Sequence, residues 1–164
     1  MQEELTQKWA IVSLLDEFPE GGEFYFTDFP LHVTFAGVFA CDLSGAQLGQ
    51  SLADFLQNEQ PIEIEVDRKE MFGANRNIGV MLLMQSTELM RFYKRLFEHL
   101  ESLGVKYNEP QYQGDGWLPH STIQMTGRGL GIGEKRQLTS LSLVDMFPGG
   151  DGVQRRITKT IAIP

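Results

Sequence analysis

The hydrophobic pattern predicts a series of strands interrupted by two helices. Alternating or continuous apolar residues predict strands over 9–15, 30–39, 62–67, 78–84, 117–125, 137–147 and 153–163. Apolar spacings of three and four residues predict one helix from Ser44 to about Asn58 and a longer one to about Leu103. The aromatic segment 24–29 is either extended or a loop, and 105–116 is typical of a loop.

Local signals indicate where both helices begin and end. Ser44 and Gln47 have the spacing of a capping box, and Pro61 follows the first helix. Ser86 or Thr87 caps the second helix, and Gly104 ends it. Strands in runs, separated by two helices with one apolar face each, predict an α+β fold in a single domain over 1–164 rather than a doubly wound parallel sheet.

Composition narrows the class of protein. The chain has 164 residues, 41% of them hydrophobic and 22% charged, which is typical of a globular domain. One cysteine excludes an internal disulfide framework and a cysteine-rich zinc site, and it favours a reducing compartment. The apolar run at 9–15 follows Glu3 and Glu4 and is too short to span a bilayer. We therefore expect a cytoplasmic monomer without membrane contact.

Charge is distributed unequally between the two halves. Residues 1–70 carry 14 acidic and 3 basic residues, a net charge of −11, and residues 71–164 carry 8 acidic and 11 basic residues, a net charge of +3. The total of −8 argues against an extended nucleic-acid footprint, since phosphate contacts require many Lys and Arg side chains. Any anion site should draw its cations from the second half.

Two of the three histidines occur in the same short pattern. His32 precedes Thr34 by two residues in one predicted strand, and His120 precedes Thr122 by two residues in another. Because side chains alternate faces along a strand, each His shares a face with its Thr.

The pair indicates acid–base chemistry on a phosphodiester. One neutral imidazole accepts a proton while one protonated imidazole donates a proton, and threonine hydroxyls bind non-bridging phosphate oxygens. This chemistry needs no metal or cofactor. Two alternatives stay open: both histidines are structural, or they bind a metal with Asp115 or Glu109. His99 lies in the last turn of the long helix, where we expect a structural role.

Further residues are candidates for substrate binding. Trp117 and Tyr25 lie near the two motifs and could stack on a base. Arg128 lies in the glycine-rich segment 127–133, which is either a flexible flap that brings Arg128 to an anion or an ordinary mobile loop. Arg76 lies in the turn between Gly73 and Gly79. For the aromatic residues, core packing is the alternative.

The paired motifs resemble the signature of the 2H phosphoesterase superfamily, which includes the 2′-5′ RNA ligase-like proteins. The resemblance extends over nearly the whole chain, although the segment 16–29 is shorter than the helix-bearing connection usual in RNA ligase-like members. It implies a bilobal fold in which two pseudo-symmetric antiparallel sheets with outer helices surround a central cleft. It also implies His32 and His120 as catalytic residues and Thr34 and Thr122 as phosphate ligands.

From this resemblance we expect a metal-independent hydrolase of 2′,3′-cyclic phosphates or related cyclic or 2′-5′ phosphodiesters, as in RNA processing. The expected partner is a small nucleotide or an RNA terminus. Two alternatives are a noncatalytic module that binds a nucleotide or RNA end, and a 2′-5′ RNA ligase working in the reverse direction.

Overall fold

The computed structural model describes residues 7–164, so Glu3 and Glu4 lie outside the described part of the chain. Within it, ten strands and two α-helices are arranged as two antiparallel sheets, which confirms the predicted α+β class. The elements are β1 (Trp9–Leu14), β2 (Glu23–Tyr25), β3 (His32–Ala40), α1 (Gly45–Leu56), β4 (Ile62–Phe72), β5 (Ile78–Leu83), α2 (Thr87–Ser102), β6 (Lys106–Tyr107), β7 (His120–Thr122), β8 (Lys135–Leu138), β9 (Ser140–Asp145) and β10 (Gln154–Ala162).

The two sheets differ in size. The larger has six strands in the order β2-β10-β9-β1-β3-β6, and the smaller has four in the order β7-β5-β4-β8. The strands β3 and β7, which carry the two His-x-Thr motifs, therefore belong to different sheets. The lobes meet along these strands.

The helices begin and end where their capping residues indicate. Ser44 and Gln47 form the predicted capping box at the start of α1. At α2 the cap is Ser86, whose hydroxyl accepts a hydrogen bond from the amide of Leu89. Gly104 has a φ of 75°, the left-handed conformation that ends a helix most cheaply at glycine.

One hydrophobic core joins the two sheets and both helices. The helices contribute the residues of their predicted apolar faces, Leu48, Leu52, Leu56, Leu89, Phe92, Leu96 and Leu100. A second, smaller core covers the other face of the six-stranded sheet. In β1, Ile11 is buried in the first core and Val12 in the second, which explains why this strand is apolar without alternation.

The predicted strand 137–147 is wrong in one respect: it is two strands in different sheets. β8 pairs with β4, and β9, which follows Thr139, pairs with β1 and β10. The alternation changes phase at this point, since two polar residues separate Leu138 from Leu141 and both leucines are buried in the same core.

Two further segments differ from the prediction. Of the predicted strand 117–125 only β7 is paired in a sheet, and after it the amide of Gln124 donates to the carbonyl oxygen of Arg128 and closes a turn. The predicted loop 105–116 contains the short strand β6, which pairs with the end of β3, and two 3-10 turns. No helix among residues 7–164 is long and apolar enough to cross a membrane.

Candidate active site

The two His-x-Thr motifs have the same pattern of burial. In β3, His32 and Thr34 are partly exposed and Val33 between them is fully buried. In β7, His120 and Thr122 are partly exposed on either side of a buried Ser121. Each histidine thus shares a face with its threonine, as strand alternation predicts.

Two hydrogen bonds hold the motif-bearing segments side by side. Trp117 Nε1 donates to the carbonyl oxygen of Thr34 at 3.1 Å, and Gln124 Nε2 donates to the carbonyl oxygen of Phe29 at 3.1 Å. Since the order of contacts is reversed along the two segments, the segments run antiparallel. The two histidines each lie between these contacts along neighbouring segments, and are therefore near each other across the lobe boundary.

Both imidazoles are held in the same tautomer. The Nδ1 atom of His32 lies 2.7 Å from the carbonyl oxygen of Pro30, and that of His120 lies 2.7 Å from the carbonyl oxygen of Leu118. A carbonyl oxygen only accepts, so each Nδ1 carries the proton and each neutral Nε2 keeps its lone pair. Nε2 is consequently the nitrogen that can exchange a proton with a substrate.

Because both histidines are desolvated, each stays neutral at a lower pH than free imidazole does. Burial lowers the pKa of His32 from 6.5 to about 4, an effect that the hydrogen bond to Pro30 opposes and the positive charge of His120 reinforces. Burial also lowers the pKa of His120, again against a backbone hydrogen bond. The effect of the His120 charge on the pKa of His32 agrees with the nearness of the two rings.

An aromatic ring packs on each histidine. The Phe29 ring lies 4.0 Å from the His32 ring between centroids, and the Phe72 ring lies 5.1 Å from that of His120. Phe72 is the last residue of β4, so the β4–β5 hairpin packs against His120. The rings restrict the orientation of both imidazoles and account for part of their desolvation.

The threonine hydroxyls are available to a ligand. Within residues 7–164, neither the Thr34 nor the Thr122 hydroxyl makes a hydrogen bond to another protein group. The hydrogen bond from Trp117 to Thr34 is accepted by the backbone carbonyl and leaves the hydroxyl unused. Partly exposed hydroxyls without protein partners suit the predicted binding of phosphate oxygens, which remains a prediction.

A cavity of about 840 Å³ opens beside the second histidine. One wall comes from the β4–β5 hairpin and the other from the segment before β7. The lining residues are Thr34, Met71, Phe72, Gly73, Ala74, Arg76, Glu109, Tyr112, Gln113, Gly116, Trp117, Leu118 and His120. The size lies within the range of small-molecule sites.

Two of the further candidates line this cavity. Arg76 is in the hairpin wall. Trp117 also touches the cavity, but its ring is only 7% exposed and is stacked on Tyr93 at 3.9 Å, and on Phe35. The Trp117 ring is thus mainly part of the core.

The other two candidates lie elsewhere. Tyr25 is an exposed residue of the edge strand β2, and it does not line the cavity. Arg128 also lies outside the cavity wall, because both of its terminal nitrogens donate to the carboxylate of Asp16, one of them at 2.8 Å. This ion pair joins the end of β1 to the turn after β7 and lowers the pKa of Asp16.

The structure also bears on the alternative of a metal site with Asp115 or Glu109, and on His99. Among residues 7–164, no three His, Cys, Asp or Glu side chains are grouped so as to hold a metal ion. His99 lies between the helices, where its Nε2 is 2.8 Å from the Ser51 hydroxyl and its ring packs on Phe55.

Sequence reasoning missed the groups that orient the motifs. Phe29, Phe72 and Tyr93 carry no motif of their own, and they reach the site from other elements. The Tyr93 hydroxyl accepts a hydrogen bond from the Gly114 amide at 2.7 Å and donates to Gln113 Oε1 at 3.3 Å. From its position in the apolar face of α2 the sequence predicts that Tyr93 is buried, but it does not predict the hydrogen bonds of its hydroxyl.

A family model for the 2′-5′ RNA ligase superfamily matches residues 6–131, a range that includes both His-x-Thr motifs. The chain belongs to the 2′-5′ RNA ligase superfamily. No match was found among curated protein sequences.

Solved structures share the fold of this superfamily member. A crystal structure described as a phosphoesterase is 18% identical, with 96% of this chain and 98% of that chain covered and a TM-score of 0.59. TT0787 of Thermus thermophilus is 14% identical, with 95% and 97% covered and a TM-score of 0.58. LigT of E. coli, complexed with 3′-AMP, is 17% identical, with 96% and 98% covered and a TM-score of 0.56.

Proposed function

We propose that the protein is a metal-independent phosphodiesterase that hydrolyses a 2′,3′-cyclic phosphate or a related nucleotide phosphodiester. The observation that carries the proposal is the matched pair of histidines, which lie on neighbouring segments, each with Nδ1 bonded to a backbone carbonyl. Membership of the 2′-5′ RNA ligase superfamily supports action on a phosphodiester.

In the proposed reaction, His32 is the general base and His120 the general acid. His32 Nε2 takes a proton from water as the water oxygen bonds to phosphorus. The bond from phosphorus to one ribose oxygen breaks, and His120 Nε2 gives its proton to that oxygen. The hydroxyls of Thr34 and Thr122 donate hydrogen bonds to the non-bridging oxygens.

The environments of the two histidines support this assignment. The pKa of His32 is about 4, which keeps it neutral and able to accept a proton at neutral pH. The positive charge of a protonated His120 is one of the causes of this lowered pKa, after burial. A phosphate anion bound between the rings would raise the pKa of both histidines and favour the acid form of His120, while the larger lowering at His32 keeps that residue the base.

A small nucleotide fits the remaining observations. The net charge of −8 opposes a long nucleic-acid footprint, and the cavity beside His120 has the volume of a small-molecule site. E. coli LigT has been crystallised with 3′-AMP, ATP and NADP+, all of them small nucleotides.

The test measures turnover of a substrate panel by purified variants. The panel contains 2′,3′-cyclic nucleotides, 2′-5′ oligoadenylate, cyclic dinucleotides and ADP-ribose cyclic phosphate. We expect hydrolysis of at least one 2′,3′-cyclic or 2′-5′ substrate, and a loss of about 10²–10⁴-fold in His32→Ala and in His120→Ala. His99→Gln is the matched control, since it removes a histidine outside the site.

Two results would contradict the proposal. Full activity in the double histidine variant would exclude acid–base catalysis by this pair. Loss of activity in EDTA with recovery on adding a metal would exclude the metal-independent mechanism. Tight nucleotide binding without turnover would instead support a noncatalytic binding module, and joining of RNA ends would support a ligase.

A further inference from the structure

Arg76 has a backbone conformation that arginine adopts at a cost. Its φ is 50°, and it is the only residue other than glycine with a positive φ among residues 7–164. Asparagine and glycine take this left-handed conformation more readily. The turn contains both types nearby, at Asn75, Asn77 and Gly73, yet the left-handed position itself holds an arginine.

Arg76 is an exposed residue that lines the same cavity as His120 and Thr34. No carboxylate of residues 7–164 forms an ion pair with it, unlike Arg128, which is held by Asp16. Glu109 is the acidic residue among those that line the cavity. Among the residues that line the cavity, Arg76 thus offers a guanidinium that is not held by an ion pair and can bind an anionic group beyond the reacting phosphate.

We propose that Arg76 binds a second phosphate, on the 5′ oxygen of the nucleoside whose 2′,3′ phosphate lies between the histidines. This inference rests on the proposed function, because it takes the reacting phosphate to be at the His32–His120 pair. The 5′ oxygen is the remaining position at which a nucleotide carries phosphate, and a guanidinium matches phosphate with two parallel hydrogen bonds. The phosphate comes either from a free 5′-phosphorylated nucleotide or from the neighbouring residue of an RNA end.

Calorimetry with three product-like ligands tests the site. The ligands are adenosine 3′-monophosphate, adenosine 3′,5′-bisphosphate and the dinucleotide ApAp. We expect the wild-type protein to bind at least one of the two-phosphate ligands about tenfold more tightly than the monophosphate. In Arg76→Asn the ratio should fall to about threefold or less.

Matched measurements separate the side chain's role from folding. Arg76→Asn keeps a residue that tolerates the left-handed backbone, so its thermal midpoint should equal or exceed that of the wild type. Arg68→Asn is the control: Arg68 is also on the β4–β5 side of the molecule, is paired with Asp67 and does not line the cavity. Its affinity ratio should match that of the wild type.

Either of two outcomes overturns the proposal: equal wild-type affinity for the one- and two-phosphate ligands, or an unchanged ratio in Arg76→Asn. A gain confined to the bisphosphate identifies a free 5′-phosphate as the source, and a gain confined to ApAp identifies an RNA end. Since binding is measured without turnover, failure of the substrate panel rejects the proposed function and not the phosphate site.

Discussion

His32 and His120 make the same hydrogen bond in two different sheets: Nδ1 of each lies 2.7 Å from the carbonyl oxygen two residues earlier. The two backbones thus impose one tautomer on both rings, with Nε2 left to exchange a proton. The rings differ in what surrounds them, since Phe29 packs closely on His32 and Phe72 packs less closely on His120. The two rings are oriented alike, but burial lowers the pKa of His32 more than that of His120. This difference is a physical basis for assigning His32 as the base and His120 as the acid.

A substrate with a good leaving group separates those roles. In a nucleoside p-nitrophenyl phosphodiester without a 2′-hydroxyl, the departing phenolate needs no proton. The His120→Ala variant should therefore recover most of its lost activity on this substrate, whereas His32→Ala should remain about 10²-fold or more below the wild type. Initial rates by absorbance provide the measurement. Equal defects in both variants would contradict the assignment.

The pH profile of hydrolysis should be bell-shaped with its maximum on the acid side of neutrality. The free enzyme is active when His32 is neutral and His120 is protonated. The pKa of His32 is about 4, and that of His120 lies below 6.5, so kcat/KM should peak between these values and fall by about tenfold per unit at alkaline pH. Rates at substrate concentrations well below KM test this. A plateau extending to pH 8 would exclude a protonated His120 as the acid.

The buried His32 should make stability depend on pH. Its pKa is about 4 in the folded protein and about 6.5 when unfolded, so between these values the unfolded chain binds the extra proton. Stability is complete above pH 6.5 and is lost as the pH falls towards 4. From pH 8 to pH 5 this amounts to at most about 2 kcal/mol.

Urea denaturation of the wild type and His32→Asn at pH 8 and pH 5 measures this contribution. The wild type should lose more free energy of unfolding than the variant across this interval. The comparison removes the contributions of other groups, such as Asp16, whose pKa is also lowered in the folded state. Equal losses would show that His32 is not desolvated in the folded protein.

Tyr93 should control the cavity wall without contacting the reacting atoms. Its hydroxyl bonds to Gly114 and Gln113, and its ring stacks on Trp117, which donates to Thr34. In Tyr93→Phe the Gly114 amide loses its partner, so we expect a loss of about 1–2 kcal/mol in unfolding free energy and a raised KM.

The matched control for this prediction is Tyr107→Phe. Within residues 7–164 the Tyr107 hydroxyl has no hydrogen-bond partner, although its ring packs on Phe97 and Phe39. Its removal should leave KM unchanged. Steady-state kinetics on the best substrate of the panel, with urea midpoints, gives both readouts. Equal effects of the two substitutions would indicate general loosening of the core.

Local chemistry accounts for the parts of the molecule that the sequence predicts well. The capping box at Ser44, the apolar faces of both helices and the shared face of each His and Thr depend on neighbours within four residues. The short-range periodicity of strands and helices records such relationships directly. The fold class and the pairing of His32 with His120 as candidates therefore followed from the sequence.

What only the tertiary structure decided involves partners distant along the chain. Asp16 pairs with Arg128, so that this arginine does not line the cavity, while Arg76 does. The division of 137–147 between two sheets and the burial of Trp117 likewise depend on which surfaces meet. The hydrophobic pattern around a residue predicts whether that residue is buried or lies in a strand. It does not predict which group will cover or neutralise the residue, because that contact forms only when segments far apart in sequence pack together.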